Sequence, residues 1–330
     1  MYCIKNDINS KKRIDYWDNI KGILIIFVVL GHFLLEYLNF YYVKYIVSFI
    51  YFFHMPAFVF VSGFLSKSQR ARSYKSIAGI VTIYLIFNTT IMVLSSFLFD
   101  LSYQFITPYY SYWYLVALAF WRMTLKYAEK YQDILFISII AALLIGLWSD
   151  VTNIFSLSRI IVFYPFFITG YKLSAEKVCD IINKRKKRDT LKALLLLIIA
   201  ISISAYFVYK INYLSLNHLI MGSYSSINDL FIRLVILLIA FVMIIALLNL
   251  TPNKPIFLLS KWGRNSLSIY VLHRFIIFAY VKVFPANNYS NMYIIYAFFA
   301  SAFTLVVLGT NTINERFHII IKKTDIGDVV

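Results

Sequence analysis

Long apolar runs, separated by short polar and mostly basic stretches, fill nearly the whole chain. Runs of spanning length lie at 22–40, 45–65, 77–99, 109–127, 133–149, 157–174, 192–209, 228–250, 265–284 and 292–313. A helix needs about 20 apolar residues to cross a bilayer, so the pattern predicts an all-α bundle of ten transmembrane helices. The fifth run is short and polar residues interrupt the ninth, so their ends are the least sharply drawn. In the first run every residue from Gly22 to Leu30 is apolar or glycine, yet Lys21 stands at its start and His32 inside it. On a helix these two share a face about 16 Å apart. A span starting at Lys21 therefore carries His32 near the middle of a hydrocarbon core about 30 Å thick.

Composition agrees with the pattern. Of the 330 residues 61% are hydrophobic and 14% charged, against about 25% charged in a soluble domain. The expectation is a polytopic membrane protein, multi-pass in the cytoplasmic membrane. The net charge of +17 would suit nucleic acid if it formed one patch. Instead it is split into short clusters between apolar runs, which is the pattern of membrane topology, and nucleic acid is excluded as a partner. Basic clusters follow the second, fourth, sixth, eighth and tenth runs, and Lys11, Lys12 and Arg13 precede the first. The alternate loops are nearly bare, so the positive-inside rule places both termini in the cytoplasm. One membrane domain is expected, with 1–20 as a cytoplasmic N-terminal segment, 21–313 as the bundle and 314–330 as a cytoplasmic tail. No removable signal peptide is evident. Cys3 and Cys179 lack metal-ligand spacing and fall in expected cytoplasmic segments, where a disulfide is not anticipated. No nucleotide loop or zinc motif is present, and no metal or permanently bound cofactor is expected.

Once topology is set, buried polar groups can be given depths. His54, in FFHMP, lies about 16 Å from the cytoplasmic end of the second span, and His273 about 13 Å into the ninth. Three histidines from three helices at one level point to a polar chamber, although interhelical hydrogen bonds that lock the bundle would read the same way. An ionisable group at that depth is a functional candidate by default. Glu36 lies one turn beyond His32 on the same face, where it either orients the imidazole or is simply solvated. Arg159 and Arg233 lie toward the outer ends of their spans, where they snorkel to the interface or line a pocket for a hydroxylated or anionic acceptor. Trp113 belongs to an outer aromatic group of the kind that forms interface belts and also stacks on sugar rings.

These residues match a known family. The chain resembles the membrane acyltransferase-3 superfamily, and within it the fucose 4-O-acetylase-like branch. The resemblance rests on Lys21 and His32 with ten residues between them, FFHMPAFVFVSGFL at 52–65, YWYLVALAFW at 112–121, SRIIVFYPFFITGYKL at 158–173 and WGRNSLSIYVLH at 262–273. It implies transfer of an acyl group, usually acetyl, from cytoplasmic acetyl-CoA or another acyl-CoA to a hydroxyl of a polysaccharide or lipid-linked glycan. It also implies His32 at the reaction centre with Lys21 as its basic partner. Many members carry an Arg-x-x-Arg motif entering the third span. Arg72 and Lys75 are the nearest match here and sit a few residues early, so they read equally well as positive-inside charges.

The residues suit that chemistry. Acetyl transfer to an alcohol needs a base, and histidine serves near neutral pH. A developing oxyanion needs donors, which His54, His273 or an arginine would supply. Basic residues at the cytoplasmic mouth would attract the CoA phosphates. A rival class, a secondary transporter or flippase for a glycan or lipid, would also use midplane polar residues, but it needs no thioester. Residue usage fits an AT-rich bacterial genome.

Overall fold

The computed structural model describes residues 15–99, 107–148, 155–211, 222–285 and 291–322. These form helices and connecting turns, with no strand among the described residues. The backbone groups into two compact units. The first takes Met1–Phe58, Leu173–Tyr213 and Leu237–Asn314, and the second Val59–Lys172, Leu214–Ile236 and Glu315–Val330.

The first unit is built around helix α1, Asp15–Leu34. Asp15 and Asp18 sit in its first turn, where negative charge complements the helix dipole. Apolar side chains on more than one side of it, Ile20, Leu24, Val28 and Phe33 among them, are buried. The helix begins at Asp15 rather than Gly22 and ends at Leu34, where a 3₁₀ turn over Leu35–Tyr37 takes over. His32 therefore lies in the last turn of α1 and not at its middle. Helix α2, Tyr41–Leu65, follows with Pro56 inside it, and its residues up to Phe58 belong to this unit.

The second unit contains α3 (Gln69–Arg72), α4 (Tyr74–Phe99), α5 (Trp113–Lys130), α6 (Ile134–Leu144) and α7 (Leu157–Lys172). Helix α5 packs against α4 and α7, α6 lies along α7, and the short α3 touches both α4 and α5.

The chain returns to the first unit with α8 (Ala175–Asn183), which starts at a Ser174 hydroxyl accepting from the Lys177 amide at 3.2 Å. Next come α9 (Lys187–Lys210) and α10 (Asn228–Leu250), whose first residues belong to the second unit. The last helices are α11 (Phe257–Arg264), α12 (Ser266–Val283), α13 (Asn291–Leu308) and α14 (Asn311–Lys322), whose residues from Glu315 belong to the second unit. Helix α1 packs most extensively on α11, then on α13 and α12.

The tight partner is the short, amphipathic α11, and glycine is the reason. A Cβ at Gly22 would lie 2.1 Å from the Leu259 carbonyl oxygen, and one at Gly263 would lie 1.7 Å from that of Asp18. The two backbones touch where each helix presents a glycine to a carbonyl of the other. Asn19 fastens the same joint. Its amide donates to the carbonyls of Pro252 (3.0 Å) and Lys254 (2.9 Å), and its oxygen accepts from the Ser260 hydroxyl at 2.6 Å.

Each apolar run of the sequence coincides with a helix, and the chain is a multi-pass membrane protein. Among the described residues, seven helices are long and apolar enough to cross a bilayer: Asp15–Tyr37 (the 3₁₀ turn included), Tyr41–Leu65, Tyr74–Leu98, Lys187–Lys210, Asn228–Leu250, Ser266–Val283 and Asn291–Leu308. The other three expected spans differ for visible reasons. Helix α5 carries Arg122, Lys126, Glu129 and Lys130, while α6 and α7 have 11 and 16 residues. The expectation about the cysteines is corrected at Cys179, which is disulfide-bonded. Cys3, the sequence's other cysteine, lies outside the described residues.

Candidate functional site

Within the first unit, α1 and α12 bring His32 and His273 together. The rings stack, 12° from parallel with centroids 5.1 Å apart, and Nδ1 of His32 lies 2.8 Å from Nε2 of His273. His273 is fully buried, and its Nδ1 faces its own helix, 2.6 Å from the Tyr270 carbonyl and 3.2 Å from that of Ile269. A carbonyl only accepts, so Nδ1 of His273 carries the proton. In a neutral ring Nε2 then carries the lone pair. His32 must donate to it from Nδ1, which leaves the basic lone pair of His32 on Nε2. Two backbone carbonyls thus set the tautomer of a side chain on another helix. His32 is half-buried, so its Nε2 belongs to the more accessible ring of the pair.

His54 is also buried, and its Nδ1 donates to the Ile50 carbonyl of α2 at 2.7 Å. It approaches the pair through Tyr51, whose ring centroid is 4.8 Å from His54 and 6.3 Å from His32. The three histidines converge, with a direct bond only between His32 and His273. At Nδ1 of His32 the partner is His273, where the sequence had offered Glu36. Glu36 sits in the 3₁₀ turn and feels the charge of Arg274. Arg274 is buried beside His273 on α12. A histidine followed by an arginine inside an apolar run is itself a signal of this group. Beyond them the hydroxyls of Tyr37 and Tyr280 meet at 2.9 Å.

Lys21 lies lower on α1. Its amine pairs with the Asp18 carboxylate at 2.9 Å, and the two side chains are only 14% and 2% exposed. This is a shielded ion pair beside the joint with α11. The pairing holds both side chains in the first turns of the helix that carries His32.

The other candidates belong to the second unit. Arg72, on α3, binds Glu129 of α5 and lies 3.3 Å from the Tyr171 hydroxyl, which donates to the same carboxylate at 2.6 Å. Glu129 lies past the expected end of its span. The Tyr171 hydroxyl, and after it Arg72, hold its carboxyl below the usual range. It is ionised at neutral pH and balances Arg72 locally. Lys75 is exposed at the start of α4. Arg159 covers the Trp113 ring at 5.5 Å and reaches the Tyr110 carbonyl at 3.4 Å, while Trp113 stacks on Phe163 at 5.3 Å. These two side chains form one cation–aromatic pair at the start of α5 and α7. Arg233 does not snorkel. It is fully buried, donates to the carbonyls of Gly222 (2.5 Å) and Ala142 (3.3 Å), and lies over the Tyr224 ring.

A family model described as an acyltransferase domain matches residues 14–309. No curated protein and no solved structure matches the chain.

Proposed function

The chain belongs to the acyltransferase-3 family, and from that premise we propose that it moves an acetyl group from acyl-CoA to a carbohydrate hydroxyl, with His32 as the general base. The observation that carries this reading is the bond from His32 to a His273 whose own proton is committed to backbone. That bond leaves Nε2 of His32 as the proton acceptor. The acceptor hydroxyl gives its proton to this nitrogen as its oxygen attacks the thioester carbonyl carbon. The tetrahedral intermediate then collapses, the carbon–sulfur bond breaks, and the departing thiolate takes the proton back from His32. His273 acts as a positioning residue, because in this tautomer both its nitrogens are already engaged. Arg274 places positive charge beside the pair, favourable to an oxyanion.

The finer assignments are part of the same proposal. The glycan is a surface polysaccharide or a lipid-linked precursor in a bacterial cytoplasmic membrane, as in the fucose 4-O-acetylase-like branch. The acyl-CoA approaches from the cytoplasm. Ten helices span the membrane, with α5, α6 and α7 completing the seven that are long and apolar enough by themselves. Lys21 supports α1 near the donor, and Arg159 with Trp113 offers a face suited to a sugar.

The test is acetyl content of surface glycan in cells carrying His32→Ala. A general base contributes roughly 10²–10⁴-fold to rate, so acetylation should fall to background while the protein stays in the membrane at normal abundance. Comparable acetylation by folded, abundant His32→Ala protein would overturn the assignment.

A further inference from the structure

In the second unit, Arg122 on α5 is a half-buried cation that no carboxylate balances. Its Nε donates to the Ser66 hydroxyl at 3.2 Å and its Nη1 to the Ser76 hydroxyl at 2.9 Å. Ser66 in turn donates to the Ser62 carbonyl at 2.7 Å, which orients its oxygen to accept from the arginine. Other arginines of this unit have different arrangements. Arg72 is paired with Glu129, and Arg233 caps two carbonyls and covers an aromatic ring. Among the described residues Arg122 keeps only hydroxyl partners. They fix the plane of the guanidinium and leave its charge and Nη2 edge available. Removing a cation from water without a counter-charge is costly. A fork held in place with its charge unspent is suited to a bidentate oxyanion.

The charges beside it continue along the helix. Lys126 and Lys130 follow Arg122 at successive four-residue steps, one face of α5 about 12 Å long. Both lysines are exposed, and neither forms an ion pair among the described residues. The acid on this stretch, Glu129, is already engaged by Arg72 and Tyr171. Helix α3, which brings Arg70, packs against this helix and against α4.

We propose that Arg122, Lys126 and Lys130 form a phosphate-binding ladder on α5, with Arg122 as its anchoring fork. A row of cations spaced a helical turn apart fits a ligand bearing several phosphates better than a single headgroup. Together with the acyltransferase reading, on which this choice of ligand rests, it points to the nucleotide part of the CoA donor. Arg122 then joins the basic residues expected to attract the CoA phosphates at the cytoplasmic mouth. A phospholipid or lipid-linked diphosphate would present the same chemistry, so the experiment carries an arm for each.

Purified full-length protein in phosphatidylcholine nanodiscs is titrated with CoA by calorimetry, using wild type, Arg122→Gln, Arg122→Lys and Lys126→Gln. A charge-assisted bond contributes about 1.5–3 kcal/mol, so Arg122→Gln should weaken CoA binding by at least about tenfold. Arg122→Lys should fall between it and wild type, and Lys126→Gln should lose several-fold with a shallower salt dependence. Lys126 is exposed, so its variant reports on the ladder even where Arg122→Gln protein does not fold. In the second arm, retention of phosphatidylglycerol and of undecaprenyl diphosphate is followed by native mass spectrometry. Loss of lipid retention in the variants with CoA binding unchanged keeps the ladder and assigns it a lipid phosphate. Absence of CoA binding by wild type refutes the donor reading alone, since the lipid arm still decides the ladder. Unchanged binding of all three ligands in Lys126→Gln and in folded Arg122 variants overturns the proposal.

Discussion

The atom on which the proposed chemistry turns is Nε2 of His32, and its basicity is decided by neighbours rather than by His32 itself. The chain of bonds runs from the Tyr270 carbonyl through both nitrogens of His273 to Nδ1 of His32. It predicts a specific ranking at His273. Gln there keeps an amide oxygen to accept from Nδ1 of His32 and should retain a measurable fraction of acetylation. Leu removes the acceptor and lets the His32 tautomers mix, and should lower kcat about 10-fold or more below Gln, with little change in donor KM. Equal activity of the two variants would show that His273 does not orient His32. Lys21 makes a second residue-level prediction. Arg preserves the pair with Asp18 and should keep substantial activity, while Ala removes the amine that pairs with this buried carboxylate. Breaking a buried ion pair costs roughly 3–5 kcal/mol, so Lys21→Ala should lower the unfolding temperature as well as the use of limiting acyl-CoA. Wild-type behaviour on both readouts would remove Lys21 from the site.

At the scale of elements, the joint between α1 and α11 holds the helix that carries His32. Its closeness depends on Gly22 and Gly263, where an added methyl would meet backbone carbonyls that have no rotamer to yield. Gly263→Ala should therefore destabilise the protein by about 1–3 kcal/mol or more, in the range of overpacked cores. The comparison is Gly31→Ala, whose methyl would meet the Ile50 side chain at 3.0 Å. A side-chain neighbour can shift by a few tenths of an ångström, so Gly31→Ala should cost less. Thermal unfolding in detergent, with both variants measured side by side, checks the order. A smaller loss for Gly263→Ala than for Gly31→Ala would contradict the backbone contact.

At the scale of the whole molecule, orientation is a question of charge distribution. The six basic clusters alternate in phase with the ten apolar runs, and moving such clusters across a bilayer is disfavoured. Both termini should therefore face the cytoplasm. A reporter active only in the cytoplasm, fused after Val330, should be active, and a partner active only outside should be silent. The reverse result, with the N-terminus still in the cytoplasm, would mean an odd number of crossings. The short or charged helices α5, α6 and α7 would then be the first to lose their assignment as spans.

What the sequence determined by itself was whatever depends on local order along the chain. Apolar run length marked the helices of residues 41–65, 74–99 and 228–250 with nearly their observed ends. The depth argument singled out His32, His54 and His273, because an imidazole in an apolar run is conspicuous wherever it later packs. The start of α1 was missed, because Asp18, Asn19 and Lys21 look like solvent-facing residues until α11 and the loop before it cover them. Only the tertiary structure decided which histidine holds which. A tautomer is set by the partners of both ring nitrogens, and for His32 one of those partners lies on a helix 241 residues away. The same holds for the arginines. Arg72, Arg122 and Arg233 read alike as letters, but a carboxylate, two serines and two carbonyls give them three different jobs. Charge becomes available or spent only when the fold supplies its neighbours.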